Sequence, residues 1–235
     1  MTVKDIRKYI NRLNNKKASE TIFTRQISKT VDFAKVWIRQ PRVTDVGIND
    51  GGRFEFFFIK NEFNEYVGAV YFMPNDLHWY IIPKYRKKGY LSNALGESIL
   101  PYLFDNKNEN IRITIQRTSN GNGNYLNSKG VALRLGFKPI NQEETVFELN
   151  TNDFNWDKEN IMEVYTQISS ERFQVLKSRA SFALKTLQKI SDELSMTLDI
   201  DDDDDINQLN RIANRFYYRI SDSESDNSAT KDRTR

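Results

Sequence analysis

Short aromatic and β-branched runs fill the chain as far as Leu149, and a rhythm of threes and fours takes over after it. Residues 54–59, with Phe54, Phe56, Phe57, Phe58 and Ile59, read as a strand, and so do residues 66–72. Asn64 and Glu65 between them read as part of a hairpin. Residues 77–82 form a third buried run that stops at Pro83. From Leu91 to Phe104, the positions Leu91, Ala94, Leu95, Ile99 and Leu103 recur at helical spacing. Pro101 is expected to kink or end that helix. Ile111, Ile113 and Ile115 alternate with polar residues, as a half-buried strand does. The loop Asn120-Gly121-Asn122-Gly123-Asn124 leads to a second helix over about 126–135, capped by Gly136. Residues 146–149 make a last short strand. Upstream, Ile6, Tyr9, Ile10 and Leu13 place an amphipathic helix in the first fifteen residues.

After Ile140 the chain has neither glycine nor proline. Phe173, Leu176, Ala180, Ala183, Leu187, Ile190 and Leu194 repeat at spacings of three and four, an a/d seam. A shorter seam follows at Ile206, Leu209, Ala213, Phe216 and Ile220, with the acidic run from Asp199 to Asp205 between the two. This predicts two antiparallel helices joined at an acidic turn. The carboxylates of that run suit the start of the second helix, where they meet free N–H groups. As a calcium loop the run lacks glycine at its sixth position and glutamate at its twelfth. A two-helix hairpin buries little by itself, so a homodimer through these helices is expected. The expected divisions are a basic amphipathic helix over 1–20, a catalytic-type domain over 21–150, the helical appendage over 155–220 and a disordered tail over 221–235.

The most telling stretch for chemistry is the end of the third strand and the turn after it: Pro83-Lys84-Tyr85-Arg86-Lys87-Lys88-Gly89-Tyr90-Leu91. A strand that ends at a proline, then a basic turn, then a helix start puts unpaired N–H groups and a positive dipole end beside three cations. Phosphate or pyrophosphate fits such a place.

Two motifs, in this order and with a strand between them, resemble the GCN5-related N-acetyltransferase superfamily. Arg86-Lys87-Lys88-Gly89-Tyr90-Leu91 is similar to its Arg/Gln-x-x-Gly-x-Gly/Ala pyrophosphate turn, with Leu91 where a small residue is usual. The stretch from Asn127 through Ser128, Val131 and Ala132 to Leu135-Gly136-Phe137 is similar to a helix of the branch that acetylates ribosomal-protein N-termini, as is the phrase from Pro83 to Tyr90. The resemblance spans about 23–149. It implies an α+β fold: a mixed, mostly antiparallel sheet splayed between two central parallel strands and flanked by helices, with the C-terminal helical hairpin added. It implies acetyl-coenzyme A as cosubstrate and direct transfer of the acetyl group to a primary amine, a protein N-terminus among the candidates. Cofactor contacts would come from Arg86, Lys87, Lys88, Gly89, Tyr90, Leu91, Asn127 and Ser128. A backbone N–H near Ile81 or Ile82 would polarise the thioester carbonyl. The family's usual tyrosine acid aligns with Ala132, so Tyr125 at the start of the same helix is the candidate acid. His78, the one histidine, lies on the third strand and is the candidate base, because imidazole exchanges protons near neutrality. Asp76 and Glu55 are the alternatives. Leu91 and Ala132 also admit a second reading: a binding or assembly protein that has kept the fold and lost catalysis.

Composition narrows this further. There is no cysteine, which removes disulfides, thiolate catalysis and Cys-based metal sites, and with one histidine no metal site is expected. No apolar run reaches the ~18 residues of a membrane span, and Met1-Thr2-Val3-Lys4-Asp5 lacks the apolar core of an export signal, so a cytoplasmic protein is expected. The net charge of +3 hides an uneven distribution: residues 1–42 hold eleven Lys and Arg against Asp5, Glu20 and Asp32. That basic stretch makes nucleic acid or a ribosome a further candidate partner.

Overall fold

The computed structural model describes residues 1–17, 20–45, 47, 52–74, 76–117, 123–158, 161, 162, 164, 168–198, 208, 211, 212, 214–220 and 222. The chain divides into two units, Met1–Tyr165 and Thr166–Arg235.

The first unit is α+β, as the sequence leads one to expect. Its elements are α1 (Val3–Asn14), β1 (Ile22–Ser28), β2 (Val31–Trp37), β3 (Arg53–Lys60), β4 (Tyr66–Met73), β5 (Asp76–Ile81), α2 (Tyr90–Ala94), a π turn (Leu95–Ile99), α3 (Leu100–Asp105), β6 (Asn110–Thr114), α4 (Gly123–Arg134), β7 (Lys138–Pro139) and β8 (Val146–Asn150). The strands form one sheet in the order β1-β2-β3-β4-β5-β6-β8-β7. Every pair is antiparallel except β5 with β6.

Both faces of the sheet are covered at its centre, which is why β3 reads as an unbroken phenylalanine run instead of an alternating one. Phe56, Phe58, Ala69 and Tyr80 pack with Ile6, Tyr9 and Ile10 of α1. Phe57, Val70, Leu77 and Ile81 pack on the other face with Ala94, Leu95, Ile99 and Ala132. The N-terminal helix is therefore part of the first unit's core. It is closed by a capping box: the Thr2 hydroxyl accepts the Asp5 N–H, and the Asp5 carboxylate accepts the Thr2 N–H.

Pro101 does not end its helix. The ladder slips first, with the Leu100 N–H reaching the Leu95 carbonyl through the π turn, and the chain stays helical to Asp105. Proline is tolerated there because it sits in the first turn of α3, where its missing N–H costs little. At Gly68, which pairs with Ile81, a Cβ would run into the Ile81 side chain and come 2.9 Å from the Tyr80 carbonyl. Only glycine lets β4 and β5 meet so closely at the end of β5. The segment after β8 also belongs to this unit. Met162 and Val164 donate their N–H groups to Ile27 and Gln26 on the outer edge of β1. An exposed sheet edge is thereby covered.

The second unit contains α5 (Ser170–Leu198) and helical residues between 211 and 222. The more sheltered stripe of α5 runs through Phe173, Leu176, Ala180, Leu184, Leu187, Ser191 and Leu194. Ala183 and Ile190 of the expected seam are exposed. The two stripes have the same mean step, so spacing alone does not separate them. The acidic run 199–205 and the tail after 222 lie outside the described residues.

Candidate functional site

Strands β5 and β6 run side by side but share a single pairing among the described residues, Asp76 with Arg112. Beyond it they part. The side chain of Asp76 stands in for the next rung, with Oδ1 accepting the Thr114 N–H at 3.0 Å. Further along, Ile115 donates its N–H to Thr145 on the far side of β6. On β5, the Ile82 N–H goes to Val67 of β4. Antiparallel pairing alternates by two residues, so the amides of Trp79 and Ile81 turn the other way, toward the opening. This corrects one expectation: Ile82 spends its N–H in the sheet, and Ile81 and Trp79 are the residues that present theirs.

The opening has two faces. Leu77, Trp79 and Ile81 lie on the face of α2 and α4; Asp76, His78 and Tyr80 lie on the face of α1. On the first face the Trp79 indole donates to the Ser128 hydroxyl of α4 at 3.3 Å, tying β5 to the helix across the gap. Asn127 beside it is exposed. Sequence reasoning proposed Ser128 but had no means of pairing it with Trp79, because that contact joins residues 49 positions apart.

The basic turn sits at the end of β5. Its backbone is left-handed at Lys87 (φ 60°) and at Gly89 (φ 85°), and no side chain caps the helix that begins at Tyr90. The first-turn amides of α2 are thus presented outward, as an anion-binding turn requires. Arg86 donates Nε to the Ile81 carbonyl at 3.1 Å, with its guanidinium 6.0 Å from the Tyr80 ring centroid. One nitrogen is fixed on the strand end, and the fork beyond it is oriented by that bond. Lys84 and Lys88 stand over the Tyr85 ring at 4.7 and 5.7 Å. Tyr85 donates to Glu65 at 3.0 Å, and Tyr90 donates to Glu62 at 2.7 Å. The two acids lie on the β3–β4 turn and tether the basic turn by its tyrosines. The Asn61 amide and the Tyr85 hydroxyl hold the Glu65 carboxyl below its usual value, and the Tyr90 hydroxyl does the same to Glu62. Leu91 turns inward against the core.

On the α1 face, Asp76 is buried and His78 is half-exposed. His78 Nε2 lies 3.5 Å from Asp76 Oδ2, outside hydrogen-bond geometry, and is itself buried with no other partner among the described residues. Burial alone would raise the Asp76 carboxyl. The His78 contact and the Thr114 N–H outweigh it and leave the carboxyl below its ordinary value. The sequence carried a signal for this pair: residues two apart on a strand share a face. Glu55 lies on β3, paired with Lys35 of β2 and Phe72 of β4, two strands away from β5. Tyr125 is buried. Its hydroxyl donates to the Glu144 carbonyl at 2.9 Å and accepts from Arg117 at 3.3 Å, whose guanidinium lies 4.7 Å from the ring centroid. Its proton is engaged in holding α4 to the loop before β8. Ala132 is fully buried.

No protein-family model matches this chain, and no curated protein does. Among solved structures, an acetyltransferase from Agrobacterium tumefaciens strain C58 matches at 12% identity and a TM-score of 0.34, over 55% of this chain and 95% of that one.

Proposed function

We propose that the first unit is an acyltransferase that uses acetyl-coenzyme A and acts on a primary amine. The observation that carries this reading is the parting of β5 and β6 directly above an uncapped, basic helix start. Arg86, Lys87, Lys88 and the amides from Gly89 to Leu91 would hold the pyrophosphate. The outward amides of Trp79 and Ile81 would hold the pantetheine arm as an added strand is held. The thioester supplies the activated acetyl group. The acceptor amine would approach from the α1 face, where His78 is the candidate base. The engaged hydroxyl of Tyr125 and the apolar Ala132 leave no acid assigned, and a thiolate leaving group needs little help of that kind.

Titration calorimetry with acetyl-coenzyme A tests the binding, and His78→Ala tests the chemistry. The variant is expected to bind acetyl-coenzyme A as the parent does and to turn over about 10²-fold more slowly. Parent-like turnover would remove His78 from the reaction, and an absence of binding to the parent would sink the acyltransferase reading.

A second reading concerns assembly. Val175, Phe182 and Met196 of α5 are 40, 74 and 82% exposed at intervals of seven or fourteen residues. An apolar line at heptad spacing, interrupted by the exposed Lys189, suits a helix of a second copy. Phe182→Asp should lower the sedimentation coefficient from that of a dimer to that of a monomer. A parent protein that already sediments as a monomer at micromolar concentration ends this reading.

A further inference from the structure

Asp76 and His78 lie on one face of β5, at the point where β6 leaves it, and the two side chains are not equivalent in what they offer. The Asp76 carboxylate has two oxygens with different duties. Oδ1 accepts the Thr114 N–H at 3.0 Å, which binds the two strands where their backbone pairing stops. Oδ2 faces His78 Nε2 at 3.5 Å. That nitrogen is buried and has no other partner among the described residues, whereas the His78 side chain as a whole is 40% exposed. Of the two ring nitrogens, only Nε2 is buried without a partner; Nδ1 is not. On β4, Tyr71 sits opposite His78 with the ring centroids 6.5 Å apart, and on β6 Arg112 is the residue paired with Asp76.

We propose that Asp76 is a positioning residue: its carboxylate keeps the proton of neutral His78 on Nε2 and so leaves Nδ1 as the atom that accepts a proton from the incoming amine. The inference rests on the reading of His78 as base. Its physical basis is that an ionised carboxylate only accepts, so the nitrogen that faces it must be the donor. Rings of this kind are oriented by the group behind them, and catalytic hydrogen bonds that are long in a free enzyme commonly shorten in its substrate complex. The same carboxylate serves as the last rung between β5 and β6, so the ring's orientation and the mouth of the opening are set by one side chain.

Because His78 is the one histidine in the chain, a uniformly ¹⁵N-labelled sample gives a single imidazole to assign. At a pH where the ring is neutral, the two nitrogen shifts report the tautomer directly. The parent protein is expected to show Nε2–H. A parent ring in the Nδ1–H form overturns the proposal, and this measurement needs no variant. Asp76→Asn then makes a sharper demand. The Thr114 N–H still needs an acceptor, so the amide oxygen of the new side chain goes there and its NH₂ turns to His78. Nε2 must now accept, and the ring is expected to switch to Nδ1–H. Turnover should fall about 10²- to 10⁴-fold, as it does when a carboxylate behind a catalytic imidazole becomes an amide. Affinity for acetyl-coenzyme A should stay within about twofold of the parent. A variant with the parent's tautomer overturns the positioning role. A switched tautomer with unchanged turnover upholds the positioning role and overturns His78 as the base, so the two readings fail separately.

Discussion

Replacing Arg86 and Lys88 together by glutamate should abolish measurable binding of acetyl-coenzyme A while leaving the protein folded. On the proposed reading each cation would make a charge-assisted hydrogen bond to a phosphate, worth ~1.5–3 kcal/mol. Losing both is about 3–6 kcal/mol, or roughly 10²- to 10⁴-fold in affinity, and the introduced carboxylates add repulsion. Arg86 matters more than its exposure suggests. The bond from its Nε to the Ile81 carbonyl fixes the direction of the fork at the end of β5. Arg86→Lys keeps the charge and loses this bond, so its affinity should fall between the parent and the double variant. Calorimetry at two salt concentrations separates the contributions, since the part carried by exposed charge weakens as salt rises. The double variant's circular dichroism spectrum and melting curve should match the parent's, because the turn is tethered from Tyr85 and Tyr90 through Glu65 and Glu62. Affinity within threefold of the parent would move the phosphate site elsewhere on the molecule.

The sequence disclosed this site unevenly, for physical reasons. The strand–turn–helix that builds the basic turn is local in the chain, and a local pattern of proline, cations and glycine is enough to reveal its backbone. The parting of β5 and β6 is a long-range event. It depends on Asp76 meeting Thr114, 38 residues away, and on β6 taking its other partners from β8. Periodicity carries no such information. Trp79 with Ser128, and Tyr125 with Glu144 and Arg117, belong to the same class of contact. The face shared by Asp76 and His78 lies between the extremes: the strand period shows it, but not that one oxygen is committed to the backbone of the next strand. In the helical unit the limit is different. Stripes through Ala183 and Ile190, or through Leu184 and Ser191, have the same mean step, and only three-dimensional exposure tells them apart.

The second large effect lies away from the opening, in the support beneath it. Lys60 donates to Asp32 Oδ1 at 2.8 Å, with the two side chains only 10 and 8% exposed. Tyr66 donates to the other carboxylate oxygen at 2.5 Å, and burial together with that bond pushes its hydroxyl far above the ordinary tyrosine value. The three residues come from β2, β3 and β4, and the end of α1 closes over them: the Asn14 side chain bonds both the N–H and the carbonyl of Tyr66. Both charges have lost their water, so each depends on the other. Lys60→Met removes the cation and leaves a buried carboxylate with a single hydroxyl donor. The expected cost is about 3–5 kcal/mol, a large share of a total stability of about 5–15 kcal/mol. Asp32→Asn with Lys60→Met removes both charges and should restore most of the loss, because a neutral amide can still accept from Tyr66. Urea denaturation of the parent and both variants gives the comparison, and a Lys60→Met unfolding free energy within about 1 kcal/mol of the parent's would show the pair to be solvated. The consequence for the site follows from the packing. The same face of the sheet holds α1, Phe58, Ala69 and Tyr80 in one cluster, and Tyr80 is the residue after Trp79 and two beyond His78 on β5. A sheet loosened at Lys60 loses the backing of the strand that carries the candidate base. Turnover in Lys60→Met should therefore fall at temperatures where the variant is still folded, and the double variant should recover it in proportion to its recovered stability.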